Sequence, residues 1–179
     1  MKALFLGDSI THAFKVDEHF PKMECSNQGV SGWGTDDLLL NLKKEWFEFE
    51  PDVVFLCIGT NDLARVYIED ETIENVRQIV KKIKEFSPPP CRVFVTSVFP
   101  TRHNPPRYNP HINSLNARLH SMAESETVRY FHINPFFSDI NGQLKREFTD
   151  DGLHLADGAY LLWKHLVDKV LEPSSFFVN

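Results

Sequence analysis

The sequence has little of what several large functional classes require. Its 179 residues hold three cysteines, Cys25, Cys57 and Cys91, set far apart, with neither a C-x-x-C pair nor a Cys/His spacing suited to a metal. Cys57 lies in the apolar run VVFLCIG, where a small buried hydrophobe is the expectation. No stretch approaches the ~20 apolar residues of a membrane-spanning helix. Positive charge is scarce: 19 Lys and Arg stand against 25 Asp and Glu, a net charge of -6. That balance disfavours nucleic acid or an anionic membrane surface as the main partner, since both reward clustered basic residues. Neither a G-x-G-x-x-G fingerprint nor a Walker sequence occurs, which counts against a nucleotide-binding module. The first apolar run starts at Lys2, with no room before it for the basic and apolar regions of a secretory leader, so a cytoplasmic location is expected.

What is present is an alternation of buried strands and amphipathic helices. KALFL (Lys2 to Leu6), DVVFLCIG and RVFVTSVF are short continuous apolar runs, the pattern of strands covered on both faces. MECSNQ and VRYFHI are weaker candidates. Leu38, Leu39, Leu42, Trp46 and Phe49 predict a helix over Thr35 to Phe49, capped by Thr35 or Asp36 and stopped by Pro51. Ile73, Val76, Ile79, Val80 and Ile83 predict another over Glu69 to Phe86, and further helices are expected from about Asn109 to Glu124 and from about Ala156 to Leu171. This order implies an α/β fold with a mostly five-stranded parallel sheet between two helical layers. A single domain over 1–179 is expected at this length.

Open parallel sheets bind ligands beyond the carboxyl ends of their strands. Four chemically suggestive segments fall at such ends. GDSI places Ser9 directly after the first strand, where it is either a helix cap or a nucleophile. NQGVSGWGT has three glycines within six residues, as a loop bringing a backbone N–H against a ligand would need. GTND puts Asn61 and Asp62 after the third strand, as caps or as an amide donor. DGLH spaces Asp151 and His154 so that the carboxylate can accept from the imidazole Nδ1–H, leaving Nε2 as a base; Asp150, four residues away, fits less well.

Together the four blocks resemble those of the SGNH, or GDSL-type, hydrolases. Within that family the compact size and SVFPTR are most similar to the platelet-activating-factor acetylhydrolase-like and small esterase or lysophospholipase members. The resemblance implies a three-layer flavodoxin-like fold and a serine esterase. It implies Ser9 as nucleophile, His154 as base and Asp151 as its orienting acid. The implied oxyanion donors are the N–H groups of Ser9 and Gly32 and the side-chain amide of Asn61, with Gly29 as the alternative to Gly32. Absence of a G-x-S-x-G elbow disfavours the α/β-hydrolase fold, which shares the order Ser, Asp, His.

The substrate implied is a small carboxylic ester, with a short acyl group such as acetyl, and no metal or cofactor. An acyltransferase or thioesterase with the same triad, or a binding module without chemistry, are the alternatives. Trp33 beside Gly32, and Arg102, His103, Arg107 and Tyr108 on the proline-rich segment 100–110, are candidates for the lip of the pocket. Asp8 is expected to tie the loop together, and His12 is a weak substrate-facing candidate.

Overall fold

The computed structural model describes residues 1–65, 68–123, 125 and 127–172. Strands β1 (Lys2–Gly7), β2 (Glu24–Gly29), β3 (Val53–Cys57), β4 (Arg92–Thr96) and β5 (Val128–Phe131) pair in parallel in the order β2-β1-β3-β4-β5. The helices are α1 (Ser9–His12), α2 (Val16–His19), α3 (Thr35–Asn41), α4 (Glu69–Phe86), α5 (Asn109–Met122), α6 (Asn134–Phe137) and α7 (Asp157–Leu171). The chain leaves β1 toward β2 and then returns past β1 to β3. The strand order therefore reverses between β1 and β3, and a crevice opens beyond their carboxyl ends.

Alternation along each strand splits the core into two unlike layers. Phe5, Phe55 and Phe94 occupy paired positions on β1, β3 and β4. Their rings follow one another at 5.1 and 5.2 Å between centroids. Trp163 of α7 stacks on Phe14 at 4.6 Å over this aromatic face. The opposite face is aliphatic: Leu4, Leu6, Val54, Leu56, Val93 and Val95 pack under Leu38 of α3, Ile73, Val76, Ile79 and Ile83 of α4 and Leu115 of α5. A strand buried on both sides has no polar face, which is why its run reads as continuous hydrophobicity.

The expected strands and the three later helices appear within a few residues of their expected limits. The end expected at Glu124 lies outside the described residues. The helix expected over Thr35 to Phe49 is broken. It stops at Asn41, Leu42 turns extended (ψ 116°), and a separate 3-10 turn runs from Lys44 to Phe47. The break buries Leu42 and Phe47 together and leaves Leu40 exposed. Neither Thr35 nor Asp36 is the N-cap, which is Gly34. The free N–H of Thr35 is met instead by the Asp62 carboxylate at 3.0 and 3.1 Å. Helices α1 and α2 are single turns, too short to leave a periodic signature.

Candidate active site

Ser9 owes its place to its two neighbours. A Cβ on Gly7 would come within 2.2 Å of both the Cys57 carbonyl oxygen and Thr11 Oγ1. Only glycine lets the end of β1 fit between β3 and α1 there. Buried Asp8 then caps α1, its Oδ1 accepting from the Ile10 N–H at 2.9 Å. Burial pushes the Asp8 carboxyl up to about 7 against the opposing pull of that N–H. The cap leaves Ser9 as the first helical residue, half-buried at the crevice. Tyr160 of α7 donates its hydroxyl to the Ile10 carbonyl at 2.8 Å and ties α1 to the last helix.

His154 arrives from a turn just ahead of α7. Asp151 organises that turn: its Oδ1 accepts from the N–H groups of Leu153 and His154, both at 2.8 Å, and its Oδ2 meets His154 Nδ1 at 2.6 Å. Partial burial would raise the Asp151 carboxyl, yet the His154 ring and the two N–H groups outweigh it and hold it at about 2. An ionised carboxylate only accepts, so the Nδ1 proton points at Asp151, and in the neutral ring Nε2 is the acceptor. Ser9 Oγ lies 3.1 Å from that Nε2. Residues 145 positions apart thus form one line, Ser9–His154–Asp151. Gly152 is what lets the turn close: its φ is +83°, and a Cβ there would lie 1.9 Å from the Arg102 carbonyl oxygen.

Asn61 lies beyond β3, next to β1, and is 9% exposed. Its Nδ2 donates to the Trp33 carbonyl at 2.9 Å and its Oδ1 accepts from Arg107 Nη2 at 3.0 Å. One Nδ2–H is left over. Gly32 and Ser9 likewise keep N–H groups with no partner among the described residues. The Gly29 N–H, by contrast, already donates to Asn27 Oδ1 at 2.9 Å. The glycine-rich loop is held from outside: Arg65 donates to the Gly32 carbonyl at 2.9 Å, to Asp37 at 2.6 Å and to Asp36 at 2.9 Å. Asp62, its carboxyl raised by burial, accepts from the Thr35 hydroxyl at 2.5 Å. Asn75 of α4 adds a bond to Thr35 at 3.1 Å.

The lip candidates separate. Arg102 is ion-paired to Asp139 and donates to the Leu144 carbonyl at 2.6 Å, which binds the segment after β4 to the loop after α6. Tyr108 is exposed and borders, with His103, Asn104, Arg107 and Asn109, a cavity of about 470 Å³. Trp33 is half-buried against the aliphatic layer. His12 donates from Nδ1 to the Gly29 carbonyl at 3.0 Å, given the proton on that nitrogen. Sequence patterns carried no sign of the work of Arg65 and Arg107, because each bonds to a residue that only the fold brings near.

A five-stranded sheet of this order, with a serine–imidazole–carboxylate line at its reversal point, defines an α/β protein of the flavodoxin-like type with a hydrolase-like centre. The family model of the GDSL-like lipase/acylhydrolase family matches residues 5–162, and the chain belongs to that family.

Among solved structures, one from Streptococcus pneumonia named for platelet activating factor is 28% identical. It covers 95% of this chain and 83% of its own, with a TM-score of 0.85. A variant of an acetyl-xylooligosaccharide esterase from Geobacillus Stearmophilus shares the fold at 18% identity and a TM-score of 0.73, with 93% of this chain and 91% of that one covered. An N-acylneuraminate cytidylyltransferase of Escherichia coli O18:K1:H7 is 22% identical over 152 residues, 84% of this chain. The chain spans about a third, 36%, of the length of that curated relative. Among the described residues no helix is long and apolar enough to cross a membrane.

Proposed function

We propose that this chain is a serine esterase that hydrolyses small carboxylic esters, with a short acyl group such as acetyl, through an acyl-enzyme on Ser9. The observation that carries the reading is the unbroken line from Ser9 Oγ to His154 Nε2, 3.1 Å, and from His154 Nδ1 to Asp151 Oδ2, 2.6 Å. Membership of the GDSL-like lipase/acylhydrolase family supports the reaction class. A relative of the same fold named as an acetyl esterase supports the short acyl group.

In this reading His154 takes the Ser9 hydroxyl proton as Oγ attacks the ester carbonyl. The negative charge moves to the carbonyl oxygen. Three donors with unused hydrogens face that need: the N–H of Ser9, the N–H of Gly32 and the second Nδ2–H of Asn61. Fixed donors of this kind stabilise the tetrahedral intermediate more than the planar ester, which is what lowers the barrier. Gly32 is preferred to Gly29 because the Gly29 N–H is engaged with Asn27. His154, now protonated and steadied by Asp151, returns the proton to the departing alcohol. Water, deprotonated by the same imidazole, attacks the acyl-enzyme and regenerates Ser9.

The test is release of p-nitrophenol from p-nitrophenyl acetate by the wild type and by Ser9→Ala, with a series of acyl lengths to decanoyl. A loss in Ser9→Ala on the order of 10⁴-fold or more is expected, with the shortest chains turned over fastest. Equal rates for the two proteins would overturn the serine mechanism.

A further inference from the structure

Arg107, a lip candidate in the sequence, borders the cavity, yet its guanidinium is taken up by protein acceptors. Nη2 donates to Asn61 Oδ1 at 3.0 Å, Nε to the Thr60 carbonyl at 3.0 Å and Nη1 to Asn104 Oδ1 at 3.1 Å. The segment that carries it is itself pinned. Thr101 Oγ1 donates to the Arg107 carbonyl at 2.6 Å, and the Asn109 amide brackets the backbone of Thr101 at 2.9 and 2.8 Å. A guanidinium therefore grips the acceptor end of the amide that is to serve as an oxyanion donor.

The partners fix the orientation of that amide without ambiguity. A guanidinium has no acceptor and a backbone carbonyl has no donor. Arg107 therefore requires the oxygen of Asn61, and the Trp33 carbonyl requires its nitrogen. With both ends engaged, the remaining Nδ2–H has one direction open to it. A cation on the amide oxygen also draws electron density from the nitrogen and strengthens donation by the free N–H, as hydrogen bonds in series polarise one another. The stabilisation that both effects supply grows as negative charge develops on the substrate oxygen and is smaller for the neutral ester.

We propose that Arg107 is a positioning residue for the transition state: it holds the Asn61 amide and sharpens its donor end without touching the substrate. This rests on the esterase reading for its kinetic consequence, while the grip on Asn61 stands independently of it. Three expectations separate it from a substrate-binding role. Arg107→Met, which keeps the length and loses every donor and the charge, lowers kcat roughly 10- to 100-fold with KM nearly unchanged, less than removal of a direct donor. Arg107→Lys, which restores the charge without the fork, recovers part of that loss. In an Asn61→Ala background the Arg107→Met change has less than about a 3-fold effect, because its path of action is gone.

The experiment is the four-protein cycle of wild type, Arg107→Met, Asn61→Ala and the double variant, with p-nitrophenyl acetate. The side-chain amide resonances of Asn61 are recorded in wild type, Arg107→Met and Arg107→Lys without substrate. Non-multiplying kcat losses together with a shifted Asn61 signal in Arg107→Met support the proposal. Losses that multiply, a rise in KM with kcat intact, or an unmoved Asn61 signal overturn it. Should Arg107→Met fail to fold, the same cycle with Arg107→Lys decides, since Lys cannot make the three bonds at once. A wild type inactive toward every ester would remove the esterase reading alone, and the resonance shift would still decide the grip on Asn61.

Discussion

Asn61 and Asp8 sit in packed protein, whereas His154 and Asp151 stand half in solvent. Asn61 is 9% exposed and bound at both ends, and Asp8 beneath Ser9 is 2% exposed. The side chains of His154 and Asp151 keep 52% and 53% of their accessible surface. In the esterase reading proposed above, the difference follows from what each half would do. Donors aimed at a developing charge gain by being immobile before the charge arrives. An imidazole that serves first the nucleophile, then the leaving group, then water needs access on its open side. It is accordingly held by its own turn, through the bonds that Asp151 accepts, while Asn61 and Gly32 are held by side chains from distant elements.

That contrast gives opposite expectations for variants in the two halves. Asp151→Asn should cost most in activity, on the order of 10³- to 10⁴-fold in kcat, because an amide N–H facing Nδ1 favours the wrong imidazole tautomer. Its Oδ1 still accepts from Leu153 and His154, so the thermal unfolding midpoint should barely move. A large fall in that midpoint, read by circular dichroism, would mean the turn supports the fold as well as the chemistry. Asn61→Ala should cost less activity, roughly 100- to 1000-fold, yet more stability. It strands the Trp33 carbonyl and an Arg107 donor, a penalty of about 1–3 kcal/mol measurable by urea unfolding. Unchanged stability would show that the donor half is less tightly tied than its hydrogen bonds indicate.

The last expectation concerns Asp8 and is read as a pH slope of stability, not as a loss of activity. Burial raises its carboxyl from 3.8 to about 7, so between those values the folded chain keeps a proton that the unfolded chain releases. Its contribution to stability is then fully present below about pH 4 and is lost as pH rises through about 7, levelling beyond. Asp8→Asn lacks that slope. The gap in unfolding free energy between the two proteins should therefore change by up to about 1.4 kcal/mol per pH unit within the window. Parallel curves from pH 4 to 7 would place Asp8 in a wetter setting than its 2% exposure implies.

The same division runs through what could be read from the chain alone. Strands β1, β3 and β4 were legible because a strand covered on both faces writes an unbroken apolar run, as in Val53–Cys57. Ser9 and Asn61 stood out because each sits in a short motif at a strand end, and Asp151 and His154 because their three-residue spacing suits one turn. That turn precedes α7 and is separated from the end of β5 by α6 and a 3-10 turn, not set at the strand end as expected. The break at Leu42 was illegible, since the apolar spacing through Phe49 continues unaltered while the backbone leaves the helix. The grips of Arg65 on Gly32 and of Arg107 on Asn61 span 33 and 46 positions, and no local pattern records such a partnership. Chemistry that touches the reacting atoms leaves motifs. The scaffolding that orients it is written in distances only the fold supplies.

One small contact constrains how this crevice could be remodelled. The Arg102 N–H donates to the Gly152 carbonyl at 2.8 Å, and the Arg102 carbonyl lies where a Gly152 side chain would have to go. The rim segment and the turn bearing the imidazole are thus stitched together at residue 102. An engineer widening the entrance for bulkier alcohols would do well to leave Thr101 and Arg102 alone, since a shift there drags His154 out of line with Ser9. Variety belongs at 103, 105 and 106, whose side chains face water.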